Sequence, residues 1–169
     1  ASAFQRAKST PKVVAETATK ADDPQSDATA ESKTDTKPEP KKPSTELATF
    51  GGGCFWCTEG IFAALRGMLK VESGYSNGMA PPISYEAVCS GTTGCVEVTR
   101  LQFDPSIISL TQILQVFFDI HDPTTLNRQG ADVGTQYRSG VYYENAAQAQ
   151  TARDVIAKIE REQKINIVT

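Results

Sequence analysis

The chain has 169 residues, 39% of them hydrophobic, and a net charge of −3. No apolar run reaches the roughly 20 residues that cross a bilayer, and the slight acidity argues against a phosphate backbone as the main partner. Four cysteines are too few for a disulfide-dense scaffold and point instead to redox or metal chemistry.

Residues 1–44 contain no Leu, no Ile and one aromatic, Phe4. They carry eight Lys/Arg against seven Asp/Glu and include stretches such as KTDTKPEPKKP (33–43). Such a segment buries too little apolar area to offset the entropy of ordering, so a disordered polar tether is expected, followed by one folded domain over 45–169. The opening ASA fits the small-residue side of a cleaved signal peptide, which points to an exported or periplasmic protein. The alternative is a cytoplasmic protein with an arbitrary fragment start.

ELATF (46–50) alternates as a strand that stops at Gly51. From Phe55 to Arg66 the period turns helical, with Ile61, Phe62 and Leu65 as its apolar stripe and Gly67 as its stop. KVESGYS (70–76) reads as a strand, NGMAPP (77–82) as a loop and SYEAVC (84–89) as one helical turn. CVEVTRLQFD (95–104) alternates over its whole length. SLTQILQVFFDIHD (109–122) is an amphipathic helix with Leu110, Ile113, Leu114, Phe117 and Phe118 inward. PTTLNRQGADVGTQ (123–136) is a long loop, YRSGVYYE (137–144) a strand, and 146–163 a last helix with Ala149, Ala152, Ile156 and Ile159 on one face. There is no internal repeat. This order predicts an α+β fold, a ferredoxin-like sandwich with a central mixed sheet.

The chemistry concentrates in GGGCFWC (51–57). A strand, a glycine turn and a helix place Cys54 at a helix N-terminus, where unpaired N–H groups and the macrodipole favour a thiolate and should lower the thiol pKa. The bland alternative is a small buried hydrophobe. Cys57, three residues on, lies within the ~4.4–6.8 Å Cα spacing that a disulfide needs, as in thioredoxin-like exchange pairs. Cys54, Cys57, Cys89 and Cys95 also admit a zinc reading, although five residues separate the second pair. Phe55 and Trp56 are either plain core or the walls of a pocket for an apolar group such as a methyl. His121, the one histidine, is read as ordering its loop. A Cys–His hydrolase would need it beside the thiol.

Taken together, GCFWCTE (53–59), SYEAVCSGTTGCVEV (84–98), FDP (103–105), HDPTTLNRQGADVGTQYRS (121–139) and YY (142–143) resemble peptide methionine sulfoxide reductase of the A type. The resemblance covers 46–169 in order and spacing. It implies an α+β enzyme, acting as a monomer without metal or cofactor, that reduces the S epimer of methionine sulfoxide, free or in proteins, as repair of oxidative damage. It implies Cys54 as nucleophile, with Phe55 and Trp56 holding the sulfoxide's methyl group. Glu97 is then the acid, Tyr85 and Tyr137 donate to the oxygen, and Asp132 organises the polar network. Alone, Glu97 would pass for a solvated strand face and the tyrosines for half-buried structural residues. The implied cycle runs through a Cys54 sulfenic acid and a disulfide, which a thioredoxin or similar dithiol reduces.

Two features depart from the family. Cys95 stands in TGCVE where TGHAE is usual, which alters the polar support near Glu97 and brings an extra thiol to the same strand face. The sequence also ends before the tail in which many members carry recycling cysteines. Cys57 is therefore the expected resolving thiol, with Cys95 the weaker rival and Cys89 assigned to a structural turn.

Overall fold

The structure is a computed structural model that describes residues 5–6, 44–78 and 83–169. Its central element is a five-stranded sheet of order β1-β3-β4-β2-β7, formed by Gln5–Arg6, Met68–Ser76, Val96–Phe103, Glu46–Gly51 and Gly140–Tyr142 in that spatial order. Strands β2, β3, β4 and β7 are those of a βαββαβ unit, so the ferredoxin-like expectation holds. The expected mixed sheet does not, because every pairing in it is antiparallel. The reason is topological. Strands β2 and β3 are joined by helix α1 (Phe55–Ala63) and run the same way, but β4 is inserted between them and is antiparallel to both. Of the expected tether, only the β1 pairing, Gln5 with Tyr75 and Arg6 with Gly74, falls among the described residues. Residues 1–4 and 7–43 lie outside them.

Among the described residues, three helices besides α1 complete the fold: α2 (Tyr85–Cys89), α3 (Leu110–Ile120) and α4 (Ala146–Gln163). Ser109 caps α3 with a reciprocal Ser109–Gln112 capping box, a device worth about 1 kcal/mol. Its inward residues Ile113, Leu114, Phe117 and Phe118 are all buried and meet Phe50, Phe62, Leu101 and Phe103 in one core. Each such side chain contributes roughly 1.5–3 kcal/mol by leaving water.

Several elements differ from their sequence expectation. Helix α1 ends at Ala63, because the N–H groups of Ala64 and Leu65 bond three residues back and tighten the last turn. Ile61 is 40% exposed, so the inward stripe of α1 is Phe62 with Leu65 just beyond its end. The strand expected over 137–144 shrinks to Gly140–Tyr142. Residues Thr135–Tyr137 instead form a 3-10 turn, and Arg138 reaches back to the carbonyls of Thr135 and Gly94. The long loop contains a small hairpin, β5 (Arg128–Gln129) with β6 (Asp132–Val133).

Strand β4 sets up the site. The face it turns to the helices carries Glu97, Thr99, Leu101 and Phe103, all buried. The apolar core therefore gives way, along one strand, to two polar side chains beneath the start of α1.

Candidate active site

Strand β2 delivers the chain to a glycine turn, and α1 begins immediately after it. Cys54 occupies the N-cap position in an extended conformation (φ −57°, ψ 117°) and is half-buried. Two glycines make the turn possible. A Cβ on Gly52 would sit 2.9 Å from the Phe117 ring. Gly53 has φ +87°, and a Cβ there would meet the stem of Gln129 at 2.6 Å. Gln129 is itself pinned, accepting from the Asp122 N–H and donating to the Asp122 carbonyl. The β5–β6 hairpin thus places a fixed side chain against the turn that precedes Cys54.

Glu97 is 2% exposed and accepts the Phe55 N–H at 3.1 Å. Its carboxylate thus sits on the first N–H of α1, one residue from Cys54. Burial raises the Glu97 pKa above its ordinary value, the Phe55 N–H opposes that rise, and the Asp132 charge adds to it. Burial also raises the Cys54 thiol, against the N–H groups of Cys57 and Trp56, with the Cys57 thiol adding to the rise. This corrects the expectation of a lowered thiol pKa: the helix N-terminus does act in the expected direction, but desolvation outweighs it.

The remaining residues gather around this pair. Tyr85 is pushed up to about 12, first by its hydrogen bond and charge interaction with Cys89, and Tyr137 is raised by burial and then by Glu97 and Asp132. Both phenols are protonated at neutral pH, that of Tyr85 in a hydrogen bond with Cys89. Trp56 is 57% exposed and stacks on Tyr85, with ring centroids 6.0 Å apart. Phe55 is buried against Tyr75, Val88 and Cys95 and touches Trp56 at 5.4 Å. Trp56 thus offers the open apolar face and Phe55 lies beneath it. Asp132, exposed on β6, directs its charge at Glu97 and Tyr137.

The cysteines separate into distinct environments. The exposed Cys57 lies one turn along from Cys54 and donates its backbone N–H to the Cys54 carbonyl at 3.1 Å, whereas Cys95 is buried in the apolar cluster with Phe55, and Cys89 is exposed at the end of α2. Among the described residues, no three His, Cys, Asp or Glu side chains gather into a metal site. Both ring nitrogens of His121 are committed to structural bonds. Its Nδ1–H donates to the Phe117 carbonyl, its Nε2 accepts from Ser139, and burial lowers its pKa.

The family model described as peptide methionine sulfoxide reductase matches residues 46–169. The chain belongs to the peptide methionine sulfoxide reductase family. The enzyme named peptide methionine sulfoxide reductase MsrA from Saccharolobus solfataricus is 52% identical over 124 residues, covering 73% of this chain and 70% of that protein. Among solved structures, reduced Mxr1 from Saccharomyces cerevisiae is 34% identical with a TM-score of 0.70, over 79% of this chain and 78% of that one. Methionine sulfoxide reductase A of Corynebacterium diphtheriae is 32% identical with a TM-score of 0.68, over 76% of this chain and 64% of that one.

Within this reductase framework, sequence reading missed Tyr75 and Gln129. Tyr75 is 4% exposed, faces Glu97 across the β3–β4 register and packs on Phe55 at 5.6 Å. Burial, then the Glu97 charge, raises its pKa. Only the strand register reveals this neighbour, and no local motif carries it. Gln129 had a faint signal, since a polar side chain in an ordered loop beside an invaded glycine turn needs a partner.

Proposed function

We propose that the domain over 45–169 is a methionine sulfoxide reductase that takes the S epimer, free or in proteins, and that residues 1–44 are its tether. The observation that carries this reading is the pairing of Cys54 with a buried, protonation-prone Glu97 on the same helix N-terminus. A sulfoxide oxygen leaves poorly until it is protonated, and a carboxyl kept neutral by burial supplies that proton.

The Cys54 sulfur attacks the sulfoxide sulfur while its own proton passes to the oxygen by way of Glu97. Tyr85 and Tyr137 donate hydrogen bonds to that oxygen. The N–H groups of Trp56 and Cys57 stabilise the sulfur as negative charge forms on it. The methyl group rests against Trp56, above Phe55. The protonated oxygen then moves from the substrate sulfur to the Cys54 sulfur: an S–O bond forms on Cys54 as the substrate's S–O bond and the transient Cys54–substrate S–S bond break. Methionine leaves with its sulfur lone pair restored, and Cys54 is left as a sulfenic acid. No net charge has to be created in the buried site, which suits two groups that burial holds neutral.

Cys57 is the resolving residue. Its thiol attacks the Cys54 sulfenic sulfur, an S–S bond forms and water leaves. A thioredoxin or similar dithiol then takes the disulfide by exchange at the exposed Cys57 sulfur. The first turn of α1 has to distort only locally, at the end of the helix where intrahelical bonds are fewest.

The test is consumption of a methyl aryl sulfoxide with dithiothreitol. The wild type should consume it, and Cys54→Ser should retain less than about one per cent of that activity, because an alcohol is far less ionised than a thiol at neutral pH. A wild type that reduces disulfides but leaves sulfoxide untouched would instead make the chain a thiol–disulfide exchanger.

A further inference from the structure

Phe55 is held at both ends of its backbone by one strand. Its N–H goes to Glu97, and its carbonyl meets three buried hydroxyls: Thr58 at 3.1 Å, Ser73 at 3.2 Å and Thr99 at 3.4 Å. Glu97 and Thr99 are two residues apart on β4, hence on the same face. Thr99 is 0% exposed and its hydroxyl lies 2.6 Å from that of Thr58. No step of the reduction described above uses Thr58, Ser73 or Thr99.

Each hydroxyl has one proton to give, which decides the wiring. Ser73 bonds the Glu59 carboxylate, so its proton is committed there. Of the other two, Thr58 lies nearer the Phe55 carbonyl, 3.1 against 3.4 Å, and is its donor, with Thr99 donating to Thr58 and turning it toward that carbonyl. Buried hydroxyls in this arrangement hold one geometry, because each lost bond leaves a polar atom unpaired away from water.

We propose that Thr99 is a positioning residue for the sulfoxide reduction, fixing the Phe55 peptide through Thr58 so that Cys54 and Glu97 keep their relative placement. The proposal rests on the functional reading above. Glu97 and Thr99 act as a two-point grip: one holds the N–H that precedes the Phe55 side chain, the other the carbonyl that follows it. If the carbonyl point loosens, the peptide rocks about the Glu97 contact and Cys54, its covalent neighbour, moves with it. Trp56, which follows that carbonyl in the chain, is held independently by its stacking on Tyr85 at 6.0 Å, so the loss falls on the chemical step.

Thr99→Val preserves shape and removes the hydroxyl. The single-turnover rate of sulfoxide reduction should fall about tenfold, the scale of a small misplacement of a reacting group, with KM within about twofold of wild type. Thr99→Ser should restore the rate. Thr58→Val should lose a similar factor, and the double variant should be no slower than either single, because the two hydroxyls act as one relay. If Thr99→Val does not fold, Thr58→Val with its serine counterpart carries the same comparison. An unchanged rate in Thr99→Val, equal impairment of the serine and valine variants, a loss lodged in KM, or additive losses in the double variant would each overturn the grip. A wild type that consumes no sulfoxide contradicts the functional reading instead, so the two failures are distinguishable.

Discussion

Glu97 and Cys54 are both pushed toward their neutral forms by burial, and that shared condition defines the chemistry at the residue scale. A protonated carboxyl beside a nucleophile is a general acid, and losing such a group ordinarily costs about 100-fold or more. Glu97→Gln keeps an acceptor for the Phe55 N–H but cannot release a proton. The rate of the chemical step, read in a single turnover, should therefore fall by roughly 100-fold or more while binding changes little. An unchanged rate would pass the proton role to Tyr85, Tyr137 or solvent. Cys54, Phe55, Trp56, Glu97, Tyr85 and Tyr137 were legible in the sequence through their motifs. The direction of the Cys54 shift was not. A helix N-terminus can be read from a glycine turn before an apolar period, but the desolvation that opposes it depends on what the fold packs over the thiol.

At the scale of elements, the first turn of α1 carries both the nucleophile and the proposed resolving thiol. Cys57 is exposed and its N–H bonds the Cys54 carbonyl, while Cys95 is enclosed by Phe55, Tyr75 and Val88. Cys57→Ser should reduce about one sulfoxide per enzyme and then stop as the sulfenic acid when thioredoxin is the sole reductant. Peptide mapping of the wild type after one equivalent of substrate should find a Cys54–Cys57 bridge. A Cys54–Cys95 bridge, or full thioredoxin-driven turnover in Cys57→Ser, would move the role elsewhere. The helices were well legible: α4 was expected over its observed range of Ala146–Gln163, and the α3 stripe buries four of its five expected residues, with Leu110 packed against the core. The strand over 137–144 was not. Its alternation is real, but the 3-10 turn and the Arg138 bonds take up the backbone before pairing can begin, and tertiary contacts of that kind have no local signature.

At the scale of the whole molecule, the site trades stability for chemistry, and pH exposes the trade. The Glu97 pKa is raised in the fold above its ordinary 4.5. Its contribution is therefore fully present below the unfolded value and is lost as pH rises through the raised folded value. His121 works in the opposite sense. Its folded pKa is depressed from an ordinary 6.5, so its contribution is present above that value and lost as pH falls through the depressed one. Glu97→Gln removes the first effect alone. Relative to wild type, it should gain stability in denaturation curves as pH rises from the ordinary carboxylate value of 4.5 to neutrality, even as it loses activity. A stability difference that stays constant across that range would mean that Glu97 ionises in the fold as freely as in the unfolded chain. The strand order could be anticipated from the βαββαβ sequence, but the antiparallel register that sets Tyr75 opposite Glu97 could not, because pairing partners are chosen across the sheet.

The central claim is that the Cys54 site transfers a sulfoxide oxygen with a fixed handedness. The most direct measurement is reduction of a mixture of the two methionine sulfoxide epimers with dithiothreitol as reductant, followed by resolved quantitation of each. The account predicts that the S epimer disappears with a matching yield of methionine while the R epimer remains. Equal consumption of both epimers, or oxidation of the dithiol with neither epimer consumed, would contradict it.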